Sequence, residues 1–224
     1  MNITEMYLSY NVYSRPMLPL TAVKGIVIHY VANPGSSAVA NRNYFNNLTS
    51  TYASSHYIVG LEGEIIACIP EDEIAYHAGD KTYNSTFIGI EVCHPDTTGK
   101  FVEPTYSAVV ELTADICKRY NLNPQTDVIR HYDVTGKLCP LYYVNNKDAW
   151  EQFLSDVEKS MSAEVLPEIL PSFGTDVTEI AINGVVTTVE AKLINDFTYV
   201  KLRDLISDKI EVGYDGRIAY INTL

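Results

Sequence analysis

Apolar runs alternate with stretches of helical period along the first two thirds of the chain. Lys24-Gly25-Ile26-Val27-Ile28-His29-Tyr30 is almost unbroken in its hydrophobicity, the pattern of a central strand buried on both faces. Asn33-Pro34-Gly35-Ser36-Ser37 marks a turn, and residues 38–48 read as a helix. The runs 56–59 and 64–69, separated by Gly60-Leu61-Glu62-Gly63, read as a hairpin. Residues 87–92 predict another apolar strand. Residues 105–120 predict a helix with Val109, Leu112, Thr113 and Ile116 on one face. Trp150, Phe153, Leu154 and Val157 fall at helical spacing, which marks 148–159 as an amphipathic helix whose aromatic stripe belongs to the core. This alternation predicts an α/β fold, a central mixed β-sheet flanked by helices.

Residues 160–175 break the pattern with Pro167, Pro171, Ser172 and Gly174. The predicted organisation is a first domain over 1–160, a linker over 161–175 and a small α+β module over 176–224. In the module, 177–182 and 185–189 flank Asn183-Gly184, and 209–214 and 217–221 flank Asp215-Gly216, two strong hairpin signals. Between them lie a strand-like 197–201 and a short helix over 202–207. This ββαββ order resembles the small repeat module of the copper-amine-oxidase N-terminal-like, or stalk, family. So short a segment has a marginal core of its own, and it is expected to lean on a partner surface, as a homodimerisation or cell-wall-binding module.

With 224 residues, 46% hydrophobic and 20% charged, the composition is that of an ordinary globular protein. A formal charge of −12 excludes a nucleic-acid binder, which needs a basic footprint. No apolar run is long enough to insert in a membrane, and Met1-Asn2-Ile3-Thr4-Glu5-Met6-Tyr7 lacks the basic start and apolar core of a secretory signal. Synthesis in the cytoplasm is the expectation. Cys68, Cys93 and Cys117 sit in apolar runs and read as core thiols rather than a disulfide framework.

The densest chemistry lies in Arg130-His131-Tyr132-Asp133-Val134-Thr135-Gly136-Lys137-Leu138-Cys139-Pro140, a loop-like segment carrying a histidine, a lysine and a thiol. A strand over 128–130 delivers His131, and the turn at Gly136 lets Cys139 face the same point. Two ligands are half of a zinc site. A catalytic zinc needs three protein ligands and an open position, and His29, at the end of the apolar strand, is the best third candidate. A single strand-end histidine is usually structural and a lone cysteine usually a small buried apolar residue, so the weight rests on the combination. Glu91, at the rim of Ile88-Gly89-Ile90-Glu91, fits a general base whose pKa is raised by partial desolvation. Lys137, two residues before Cys139, could stabilise an oxyanion on the open side.

Together with Ile28-His29-Tyr30, Ser55-His56-Tyr57-Ile58-Val59, His77-Ala78-Gly79 and Ile88-Gly89-Ile90-Glu91, this segment resembles the zinc-dependent N-acetylmuramoyl-L-alanine amidases of the phage-lysozyme and peptidoglycan-recognition-protein superfamily, over roughly residues 20–160. The resemblance implies Zn2+ on His29, His131 and Cys139, Glu91 and Lys137 as catalytic groups, and His77 lining the substrate groove. The implied reaction is cleavage of peptidoglycan between N-acetylmuramic acid and L-alanine of the stem peptide, after release to the wall by holin-dependent phage or prophage lysis. Ser55 departs from relatives that carry a catalytic tyrosine there, which shifts proton transfer onto Glu91 and leaves His56 as a structural or ligand-orienting residue. His94 has no family role and reads as a surface residue. The rival readings are a non-catalytic peptidoglycan-binding module, in which the cysteine ligand is commonly replaced, and an intracellular muropeptide-recycling amidase, which typically has aspartate as third ligand. Cys139 disfavours both.

Overall fold

The computed structural model describes residues 1–162 and, beyond them, the strand segments 177–182, 185–194, 197–200, 210–214 and 219–223. The chain divides into two compact units, Met1–Glu164 and Val165–Leu224. In the first, β1 (Ile3–Glu5), β2 (Gly25–Tyr30), β3 (Tyr57–Val59), β4 (Ile65–Ala67), β5 (Phe87–Val92) and β6 (Val128–Arg130) form one sheet in the order β1-β4-β3-β5-β2-β6. Strand β2 runs parallel to both β5 and β6, and β3 runs parallel to β5 but antiparallel to β4. The sheet is therefore mixed, as the strand–helix alternation predicted.

Side chains alternate across a strand, so each strand feeds two different layers. Ile26 and Ile28 of β2 and Ile88, Ile90 and Val92 of β5 share a core with α3 (Thr105–Tyr120) and α7 (Lys147–Ser162). The predicted faces are the buried ones: Val109, Leu112 and Ile116 of α3 and Trp150, Phe153, Leu154 and Val157 of α7 all lie in this layer. Full burial of each such side chain stabilises by about 1.5–3 kcal/mol relative to exposure. On the opposite face Ile58, Ile66, Cys68 and Cys93 pack with Ala38 and Phe45 of α1 (Ala38–Asn46). His29 and Glu91 stand in register on adjacent strands, and Glu91 pairs with Ile58 of β3, so both point into this second layer. Cys68, Cys93 and Cys117 are buried and free, and burial pushes each thiol up to about 12.

The structure adds elements that the pattern does not announce: β1, α2 (Lys81–Thr86), α4 (Pro124–Asp127), α5 (His131–Thr135) and α6 (Leu141–Asn145). Each is six residues or fewer, too short to display a period. Residues 131–135, expected as a loop, form α5, whose start is secured by Asp133 accepting from the Arg130 backbone N–H at 2.9 Å and from its guanidinium at 2.7 Å.

In the second unit, β7 (Val177–Ile182), β8 (Val185–Ile194) and β9 (Phe197–Val200) form an antiparallel sheet in that order, and β10 (Ile210–Tyr214) pairs with β11 (Ala219–Thr223). Strand β8 runs past the predicted 189. The predicted helix over 202–207 lies outside the described residues. Among the described residues no helix is long and apolar enough to cross a membrane.

Candidate active site

The site forms where the parallel strands β2, β5 and β6 end. β2 brings His29, 1% exposed, and β6 hands over directly to α5, whose first residue is His131. Gly136, at φ +78°, closes α5 in the left-handed conformation that glycine adopts without a Cβ penalty, and the chain turns back to set Cys139 beside the histidines. His29 Nδ1 lies 3.1 Å from His131 Nδ1 and 3.8 Å from Cys139 Sγ, and ligand atoms of all three fall within 4.8 Å of one another. Three residues separated by up to 110 positions thus converge as the sequence pattern expected.

Electrostatically the trio is a set of neutral donors. Burial, the neighbouring histidines and the Lys137 charge hold the His29 pKa well below its usual value, and burial and Lys137 lower that of His131. Neutral imidazoles keep a lone pair for a metal. The Cys139 thiol is pushed up to about 12, by burial first and then by Glu91. Two neutral imidazoles and a thiol that a cation would deprotonate are a borderline-soft donor set, which fits zinc. Three such donors would leave a fourth position of a zinc ion open.

Glu91 stands directly opposite His29 in the parallel register of β5 and β2. Its Oε2 is sealed from solvent and has no hydrogen-bond partner, and desolvation raises its pKa to about 8 against the opposing pull of Lys137. Lys137 is exposed on the α5–α6 connection. A pocket of about 470 Å³ lies alongside, lined by Leu18, Tyr52, Ile74, Tyr76, Asp80 and Lys81, and bounded on the His131 side by Gly79.

Two expectations are corrected. His77, expected to line the substrate groove, is 7% exposed and sits behind His29: its Nδ1 is 3.1 Å from His29 Nε2 and its Nε2 donates to the Phe87 carbonyl at 3.1 Å. With both ring nitrogens engaged it offers nothing to a groove. His94, expected at the surface, is 1% exposed, because Tyr30 packs its ring at 5.1 Å; His94 Nδ1 donates to the Asp96 carbonyl at 2.6 Å. His56 is not a ligand. Its Nε2 donates to the Glu73 carbonyl and its Nδ1 accepts from the Gly89 N–H, both at 2.9 Å, and burial lowers its pKa to about 4. Ser55 is buried, with its hydroxyl donating to the Tyr57 carbonyl at 2.9 Å.

Asn84 is a site residue that sequence reasoning missed. Its Oδ1 accepts from the backbone N–H groups of His77 at 3.0 Å and Ala78 at 2.8 Å. The readable signal was Gly89, a glycine inside a strand, which announces a close approach. A Cβ there would collide with the His77 ring.

Three residues that could together hold a metal ion thus stand at the ends of parallel strands, with the unpartnered Glu91 Oε2 on the adjoining strand, an arrangement compatible with a hydrolase. The family profile described as N-acetylmuramoyl-L-alanine amidase matches residues 19–141, and the chain belongs to that family. It is 34% identical over 187 residues to N-acetylmuramoyl-L-alanine amidase BlyA of Bacillus subtilis, covering 75% of this chain and 50% of BlyA. Among solved structures it is similar to the catalytic domain of XlyA, with a TM-score of 0.60 and 28% identity over 70% of this chain and 99% of that one. It is also similar to a mutant endolysin from Bacillus subtilis, with a TM-score of 0.59 and 28% identity over 70% of this chain and 98% of that one. The chain spans about half the length of the curated relatives it matches.

Proposed function

We propose that this chain is a zinc-dependent peptidoglycan amidase that hydrolyses the bond between the lactyl group of N-acetylmuramic acid and L-alanine of the stem peptide. The observation that carries the reading is the convergence of His29, His131 and Cys139 within 4.8 Å, with the unpartnered Glu91 Oε2 on the adjoining strand. Zinc held by these three residues would make an amide carbonyl more electrophilic and a water molecule more acidic.

The remaining steps fall to the chain's own groups. Glu91 accepts the proton of the attacking water and returns it to the leaving amine, for which a carboxylate poised above the ordinary range is suited. The Lys137 ammonium, exposed and close enough to depress the pKa values of His29 and His131, balances the charge that develops on the carbonyl oxygen. His29, His131 and Cys139 keep their donor atoms turned to one point, so little reorganisation precedes reaction. The pocket beside Gly79 offers tyrosine and aliphatic walls to the saccharide or the stem. Action on the wall after phage or prophage lysis, and pairing of two chains through the segment 176–224, belong to the same proposal; likeness to an endolysin supports the first.

The test is mass spectrometry of purified peptidoglycan after incubation with zinc-loaded protein. Free L-alanine amino termini and intact N-acetylmuramic acid ends are the expected products. Binding to peptidoglycan without release of stem peptide would replace the reading with that of a non-catalytic binding module.

A further inference from the structure

His29 and His131 both adjoin one short strip, His77-Ala78. His77 Nε2 faces the Phe87 carbonyl oxygen at 3.1 Å, an atom that can only accept, so the proton on His77 sits on Nε2 and Nδ1 carries a lone pair. That lone pair faces His29 Nε2 at 3.1 Å, so the proton of neutral His29 sits on Nε2. His29 Nδ1 is then left unprotonated, and Nδ1 is the atom that faces His131 and Cys139. The reverse arrangement fails: protonating His29 on Nδ1 sets two lone pairs against each other at 3.1 Å, unless His77 also turns its lone pair onto the Phe87 carbonyl. The carbonyl thus breaks the symmetry of a two-imidazole chain. One residue on, the Ala78 backbone lies beside the His131 ring, whose Nδ1 is the atom turned to His29.

The strip is itself held in place. Asn84 Oδ1 accepts from both of its N–H groups, and the His77 ring lies on the bare Cα of Gly89, where a side chain would collide with it. Gly89 is in turn fixed from the other side by His56, which accepts its N–H at 2.9 Å.

We propose that His77 is a positioning residue that sets the tautomer of His29, with Asn84 pinning the strip that carries it, so that the imidazole is prepared for a metal ion. The inference rests on the zinc reading, but its first test needs no metal. Outer-sphere partners of this kind typically contribute about 10–100-fold to metal affinity. In zinc-free protein, long-range proton–nitrogen correlation spectra should show both His29 and His77 as neutral rings protonated on Nε2; Nδ1 protonation of His29 would overturn the proposal. Zinc affinity, measured by chelator competition, should fall about 10–100-fold in His77→Phe. It should return to within a few-fold of the unsubstituted protein in His77→Asn, whose Oδ1 occupies the place of Nδ1 as acceptor. Equal affinity in the phenylalanine and asparagine variants would refute the relay, as would undiminished affinity in the phenylalanine variant. Should His77→Phe not fold, Asn84→Ala carries the affinity test, since it leaves every ring in place and only unpins the strip; zinc binding as tight as before would then count against the proposal. Failure of the unsubstituted protein to bind zinc would instead remove the proposed function, while the tautomer spectrum would still decide the relay.

Discussion

Zinc binding should release a countable number of protons. The Cys139 thiol, pushed up to about 12 by burial and by Glu91, is fully protonated at neutral pH and must give up its proton to become a ligand. Glu91, raised to about 8, is mostly protonated at pH 7, and a divalent cation one strand away would draw that proton off as well. The two histidines contribute little at pH 7, since burial already holds them neutral. The unsubstituted protein should therefore release about two protons per zinc from these side chains, plus whatever bound water contributes near its pKa of about 7. Differences between variants cancel that last contribution. Glu91→Gln and Cys139→Ser should each release about one proton fewer, and the double variant about two fewer. Cys139→Ser should also bind far more weakly, because a hydroxyl is a poorer zinc ligand than a thiolate. Isothermal titration calorimetry at pH 7 in buffers of different ionisation enthalpy reads the proton count directly. The same count in Cys139→Ser as in the unsubstituted protein, or full zinc occupancy in that variant, would remove Cys139 from the ligand set. An unchanged count in Glu91→Gln would mean that the carboxylate is ionised before the metal arrives.

Glu91→Ala and Lys137→Ala should keep zinc bound while turnover on peptidoglycan falls by about two to three orders of magnitude; a change confined to KM would reduce either group to substrate positioning. Glu71 accepts from Arg119 at 2.8 Å and from the hydroxyls of Tyr57 at 2.7 Å and Tyr120 at 2.8 Å. Burial raises its pKa, but these bonds outweigh burial and leave it below the ordinary value. Its stabilisation is therefore present above the unfolded-state pKa and lost as pH falls through the lower folded-state value. Glu71→Gln should cost about 1–3 kcal/mol in urea unfolding at pH 7 and much less in strong acid; an equal loss at both would detach the effect from the charge. Sedimentation of the full chain against one ending at Ser160 tests pairing through 176–224: monomers in both cases would rule it out.

What the amino-acid pattern revealed and what it hid follow from range. Val109, Leu112 and Ile116, or Trp150, Phe153 and Val157, state their common burial within a few turns of one helix, and the structure buries them as one layer. The three-residue strand β1 and the short α4, α5 and α6 contain no full repeat, so their conformations depend on partners elsewhere in the chain. His94 shows the same dependence at a single residue: Cys93-His94-Pro95-Asp96 looks like an exposed turn, and it is buried because Tyr30, from a strand far earlier in the chain, covers its ring.

The site divides along the same line. The convergence of His29, His131 and Cys139, with Glu91 in register beside His29, was legible because the residue types that suit a zinc ion are few and strand ends restrict position. The direction of the His77 ring was not, since a motif fixes a residue's place in the chain and leaves its χ angles to the surroundings. Those surroundings come from Asn84, seven positions on, and Gly89, twelve on, neither of which carries chemistry by its type. Gly89 is the more telling of the two. In Ile88-Gly89-Ile90-Glu91 the two isoleucines build the core and the carboxylate stands opposite His29, while the glycine contributes an empty volume that a histidine ring fills. Its value lies in what it lacks, and a missing side chain becomes interpretable only once the ring that occupies its place is known.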